Sequence, residues 1–76
     1  MNNARRKELA EITTQLQDLR ERIEQLQEEE QEGFDNLSEG LQQTERGQAM
    51  ELAAGQMSTA IDAVEQAVEA LEEAQA

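Results

Sequence analysis

Two stretches of this chain repeat apolar residues at alternating steps of three and four, and a less regular stretch separates them. In the first, Leu9, Ile12, Leu16, Leu19, Ile23 and Leu26 keep the alternation without a break, and the positions between them are almost all charged or amide. Such a/d spacing describes the narrow seam of a coiled coil, not the broader face of a globular helix. It predicts a helix over residues 4–33, about 44 Å long at ~1.5 Å per residue. After Leu26 the next seam slots hold Glu30 and Gly33, so the seam lapses. Gly33 and the Asp35-Asn36 pair are the expected terminators.

The second stretch places Met50, Ala54, Met57, Ile61, Val64, Val68 and Leu71 at steps of four and three. Another series, Ala53, Ala60, Ala63, Ala67, Ala70 and Ala74, widens the apolar arc of this helix (residues 47–75) to nearly half its circumference. Asp62, Glu65, Glu69, Glu72 and Glu73 are left opposite. So wide an arc predicts contact with two neighbours at once, the alanines permitting close approach on one side. Gly55 is expected on the solvent side, at a cost of about 1 kcal/mol relative to alanine.

Between the helices lies a connector, residues 34–46. Asn36 precedes Glu39 by three residues, the spacing of a capping box, which predicts a short helical turn. Phe34, the single aromatic residue, is expected to form a hydrophobic plug with Leu37 and Leu41. Thr44, followed by Gly47, marks the change of phase into the second helix. Folding back at this connector gives each apolar run the other as a partner. The expected fold is all-α, one antiparallel helical hairpin of coiled-coil type spanning 1–76.

Composition alone points elsewhere. Leu, Ile, Val and Phe make up only 14 of 76 residues and the net charge is −12, values typical of disordered chains. Ala, Glu, Lys, Leu and Arg, however, supply 40 residues and proline is absent, which favours helix wherever a heptad is present. A two-helix layer of this size leaves its seam half open to water. A second copy is therefore expected, the homodimer closing into a four-helix bundle. The expected oligomer interface comprises Leu9, Ile12, Leu16, Leu19, Ile23 and Leu26, with Met57, Ile61, Val64, Val68 and Leu71.

Charge restricts the partners. A strongly acidic chain repels nucleic acid and anionic lipid, so direct nucleic-acid binding is not expected and a basic protein is the expected partner. No stretch is apolar for long enough to cross a bilayer, and no apolar run follows Arg5-Arg6-Lys7 as in a secretory leader. A cytoplasmic location, without membrane contact, is expected. Arg5-Arg6-Lys7 at one helix N-terminus and Glu69, Glu72 and Glu73 at the other helix's C-terminus each oppose the helix dipole. A hairpin lays them side by side, where exposed pairs offset one another by ~0–1 kcal/mol each.

Catalysis finds little to work with. The chain has no His, Cys, Tyr or Trp, so Ser38, Ser58 and the threonines have no imidazole to activate them, and no enzyme activity is expected. Glu28, Glu29, Glu30, Glu32 and Asp35 form the one site-like cluster. Their spacing is similar to that by which all-α nucleotide pyrophosphohydrolases hold magnesium. That family also requires a Glu-x-x-Asp on a following helix and basic residues for phosphates, and this chain has neither. The cluster reads as a solvated acidic tip, with no metal or cofactor. Met50 and Met57 read as core filler rather than as an adaptable groove.

The run from Glu29 through Leu37 (EEQEGFDNL), with Glu39, Leu41-Gln42, Glu45-Arg46-Gly47 and the acidic alanine-rich helix after it, resembles small acidic helical proteins encoded in bacterial phage and prophage genomes. The resemblance covers about residues 15–74. Many of those sequences carry proline after Phe-Asp-Asn-Leu, where this chain has Ser38. It implies a phage-related setting inside the host cell and no particular activity. The expected function is thus that of a self-associating helical-hairpin interaction protein, such as a phage accessory or anti-defence factor that binds a host protein. A nucleic-acid mimic occupying the basic groove of a DNA- or RNA-binding enzyme is the alternative. A magnesium-dependent nucleotide-binding or nucleotide-hydrolysing protein is a more remote one.

Overall fold

The computed structural model describes residues 1–76. It consists of three helices and no strand: α1 spans Asn3–Asp35, α2 Glu39–Gln42 and α3 Glu45–Gln75. The long helices α1 and α3 pack along one another as an antiparallel hairpin measuring 58 × 14 × 13 Å. With no proline and few β-branched residues in α1, nothing in the sequence interrupts the helical ladder before the connector. Asn2 starts α1, its side chain accepting from the Arg5 backbone N–H at 2.8 Å.

Gly33 does not end α1. The helix continues through Phe34 and Asp35, and no glycine of the chain adopts positive φ. A Cβ on Gly33 would lie 2.9 Å from Met50 Cε across the hairpin, the far end of a flexible side chain that can move aside. Asn36 consequently becomes the C-cap of α1, and the expected capping box with Glu39 is not formed. Ser38 takes that part, its hydroxyl accepting from the Leu41 N–H at 3.4 Å.

Thr44 caps α3, accepting from the Gly47 N–H at 3.2 Å while its hydroxyl donates to the Leu41 carbonyl at 2.6 Å. The helix therefore starts at Glu45, two residues before the expected boundary. Gly47 is buried against the turn above it. A Cβ there would stand 2.5 Å from the Leu41 carbonyl oxygen and 2.6 Å from that of Gln42, so the corner has room only for glycine. Phe34 and Leu37 are half-buried, but Leu41 is 53% exposed. The end of the hairpin is closed by those two side chains and by the Gln42 amide, which donates to the Phe34 carbonyl at 3.2 Å. Leu41 adds little to the plug.

On α3 the expected seam is the observed one: Met50, Ala54, Met57, Ile61, Val64, Val68 and Leu71 are all buried or half-buried. On α1 the seam is split. Leu9, Leu16 and Ile23 pack against α3, but the second packed row is Arg6, Thr13, Arg20 and Gln27. Ile12, Leu19 and Leu26 fall outside it. Thr13 is accommodated because its hydroxyl donates to the Leu9 carbonyl at 2.9 Å, which satisfies the polar atom within the helix and leaves the methyl to pack. The resulting core is thin. Ala54 (1% exposed), Val68 (7%) and Thr13 (7%) are buried, and no large side chain is fully enclosed.

Candidate association face

Three directional contacts fix the register of α1 on α3. Arg6 Nε donates to the Gln75 carbonyl at 3.1 Å, Arg20 Nη1 to Glu65 Oε1 at 3.1 Å, and Gln75 Nε2 to the Thr13 hydroxyl at 3.4 Å. All three belong to the row Arg6, Thr13, Arg20, and so to one side of the seam. Beyond that side α1 presents Gln17, Glu24 and Gln31, while α3 presents Glu51, Ser58, Glu65 and Glu72. Arg20 bridges the two helices. Its Nε lies 3.6 Å from Glu24 Oε1, an ion-pair distance too long for a hydrogen bond, so this buried nitrogen has no hydrogen-bond partner.

The other side of the seam has a different chemistry. Ile12, Leu19 and Leu26 stand there in a row at heptad spacing, 38%, 46% and 56% exposed. Alongside them runs the alanine row of α3, with Ala60, Ala67 and Ala74 exposed and Ala53 half-buried. Half-buried Leu9, Leu16, Ile23, Met50, Met57, Val64 and Leu71 form the floor between the rows. Two shallow hollows mark the ends of this face. One, of about 210 Å³, is lined by Met1, Arg5, Glu8, Leu9 and Ile12. The other, of about 390 Å³, is lined by Leu26, Glu29, Glu30, Met50 and Met57.

Arg20 makes both ion pairs of the chain. The expected offset of Arg5-Arg6-Lys7 by Glu69, Glu72 and Glu73 therefore does not take the form of contact pairs. Arg6 meets the C-terminal end of α3 through the Gln75 carbonyl, which is the favourable sense for a cation and a helix dipole. In the acidic cluster Glu28, Glu29, Glu32 and Asp35 are exposed and Glu30 is half-buried. Gln31 donates to Asp35 at 3.0 Å. Nowhere do three carboxylates converge to hold a metal ion. Gly55 lies in open solvent with nothing within 4 Å of a Cβ placed on it, and Leu52 beside it is 64% exposed.

Arg6, Thr13, Arg20, Gln27 and Gln75 are the contact residues that apolar periodicity overlooks. The first four repeat at the same seven-residue step as Leu9, Leu16 and Ile23, and Gln75 follows Ala54, Ile61 and Val68 at that step on α3, which is the signal that would have found them. Fold and faces together define an antiparallel helical hairpin with one apolar and one polar open side. No helix is long and apolar enough to cross a membrane. No protein family, curated protein or solved structure matches the chain.

Proposed function

We propose that the chain is a non-enzymatic interaction protein that self-associates through the apolar face, two hairpins forming a four-helix bundle whose acidic exterior meets a partner protein. The reading is carried by the exposed row Ile12, Leu19 and Leu26. Leucine and isoleucine repeated at heptad spacing make a coiled-coil seam, and nothing in the chain itself covers this one. A row of alanines beside it allows a neighbouring helix to approach closely. The phage-like connector sequence favours an accessory or anti-defence role in a host cell.

Sedimentation equilibrium combined with melting over a wide concentration range tests the association. The expected result is a dimer mass and a melting temperature that rises with concentration. A monomer of full helicity throughout that range overturns the reading.

A second reading, a nucleic-acid mimic, is favoured by the placement of charge. Residues 28–51 carry eight carboxylates and one arginine. A mimic's affinity for its basic partner falls steeply with added salt, whereas docking through apolar residues responds weakly.

A further inference from the structure

The apolar face also specifies how a second copy would sit on it. We propose that two hairpins pair on this face with their connectors at opposite ends, so that α1 lies on the α1 of the other copy about a two-fold axis through Leu19. This rests on the self-association proposed above and adds its orientation.

The face is self-complementary on reversal. Gly33 sits against Met50 and Leu26 lines one hollow with Met57. One further heptad step along each helix brings Leu19 level with Val64. Ile12 and Leu26 lie seven residues to either side of Leu19, so reversing the row places isoleucine on leucine and Leu19 on its twin. The alanine row is centred between Ala60 and Ala67, at the same height as Val64. Reversing it superposes alanine on alanine. An isologous interface requires a patch that matches itself after a two-fold rotation, and both rows satisfy this about one level.

Charge favours the same orientation. Arg5 occupies the next heptad slot before Ile12, and Gly33 the next after Leu26. Reversal sets Arg5 over the partner copy's side-chain-free Gly33, beside Glu29 and Glu30. The hollow holding Arg5 and Glu8 thereby meets the hollow holding those carboxylates, Arg5 offsetting the charge that Glu8 sets against Glu30 of the other copy. Arg5 makes no ion pair within its own chain. Stacking the copies with connectors together would instead oppose two ends that each carry eight carboxylates and one arginine between residues 28 and 51. Size agrees as well. A face with Cα extents of 58 by 14 Å has a footprint on the order of the ~800 Å² per partner found in stable complexes.

The test uses a spin label on Gly40→Cys. The chain has no cysteine of its own, and Gly40 is an exposed connector residue with nothing within 4 Å of a Cβ. Dipolar spectroscopy on the full chain is expected to give a separation approaching the 58 Å long axis. A separation of at most about 20–25 Å, the width of a bundle with helices ~10 Å apart, overturns the orientation while leaving self-association intact. A monomer mass for the labelled sample overturns both. Charge reversal gives a second readout. Arg5→Glu is expected to weaken the dimer severalfold, as the loss of an exposed ion pair does, and adding Glu29→Arg to restore it. Failure of the double variant to recover affinity counts against the pairing of the two ends.

Discussion

The two open sides of the hairpin are bordered by the same two helices, yet they are closed by different forces. On the polar side, Arg6, Thr13 and Arg20 reach Gln75 and Glu65 on α3, and only the Arg20 Nε is left buried without a hydrogen bond. Across the apolar side there are no such bonds, and Ile12, Leu19 and Leu26 remain about half in water. Hydrogen bonds and ion pairs are directional and select one register out of several that a heptad would permit. Hydrophobic contact is not directional and scales with the area covered. The polar side therefore sets where the helices sit, and the apolar side holds the stabilisation that a single chain leaves unused.

Charge introduced on one side and then on the other separates their roles most sharply. Leu19→Glu places a carboxylate at the centre of the apolar face, with its twin opposite in a reversed dimer. The expected outcome is a monomer by sedimentation. Each Leu19 is already about half buried in its own hairpin, so the two leucines together forfeit roughly 1.5–3 kcal/mol per dimer, to which the facing carboxylates add their repulsion. Gln17→Glu, the same charge change on the polar side, is expected to leave the mass unaltered. Equal effects from the two substitutions would mean that the sides are not functionally distinct.

A second substitution separates folding of the hairpin from pairing of its faces. Gly47→Ala drives a methyl against the backbone carbonyls of Leu41 and Gln42, which cannot swing aside as a side chain would. Overpacking of this kind costs about 1–3 kcal/mol. The expected result is a lower melting temperature at every concentration, with the slope against concentration kept. A wild-type melting temperature would show that the α2–α3 corner relaxes freely and that the connector does not constrain the hairpin.

The hairpin, its two long helices and the whole α3 seam were legible in the sequence, because apolar residues at steps of three and four report directly on the face that a helix buries. The α1 seam was legible only in part. Ile12, Leu19 and Leu26 fit the a/d pattern as well as Leu9, Leu16 and Ile23 do. Choosing between the rows required knowing that Arg20 would meet Glu65, 45 residues away. Apolar spacing is blind to that kind of bond. The connector failed for a related reason. Asn36 and Ser38 both suit a helix N-cap, and the extension of α1 through Phe34 left only Ser38 in place for the role. Gly33 read as a terminator by residue type, but α1 runs through it without a positive φ, which a terminating glycine would supply.

A smaller effect of opposite sign is expected on the outer surface of α3, away from both open sides. Gly55 has open space around it, so Gly55→Ala is expected to stabilise the chain by about 1 kcal/mol and leave the dimer mass unchanged. Denaturant titration reads the gain. A weaker dimer in this variant would mean that the outer surface of α3, and not the apolar face, carries the association.

The smallest effect tests the polar side itself. Glu65→Gln removes the carboxylate that Arg20 reaches at 3.1 Å, in a pair whose side chains are 30% and 44% exposed. Water screens such a pair, and the glutamine oxygen still accepts from the guanidinium. The variant also sheds one unit of a −12 net charge, which relieves some self-repulsion. The expected loss is therefore at most about 1 kcal/mol, vanishing as added salt screens the wild-type pair. A loss as large as that of Leu19→Glu, and insensitive to salt, would place the main stabilisation on the polar side. The apolar face would then be a by-product of alanine-rich composition, not the surface on which copies of the chain meet.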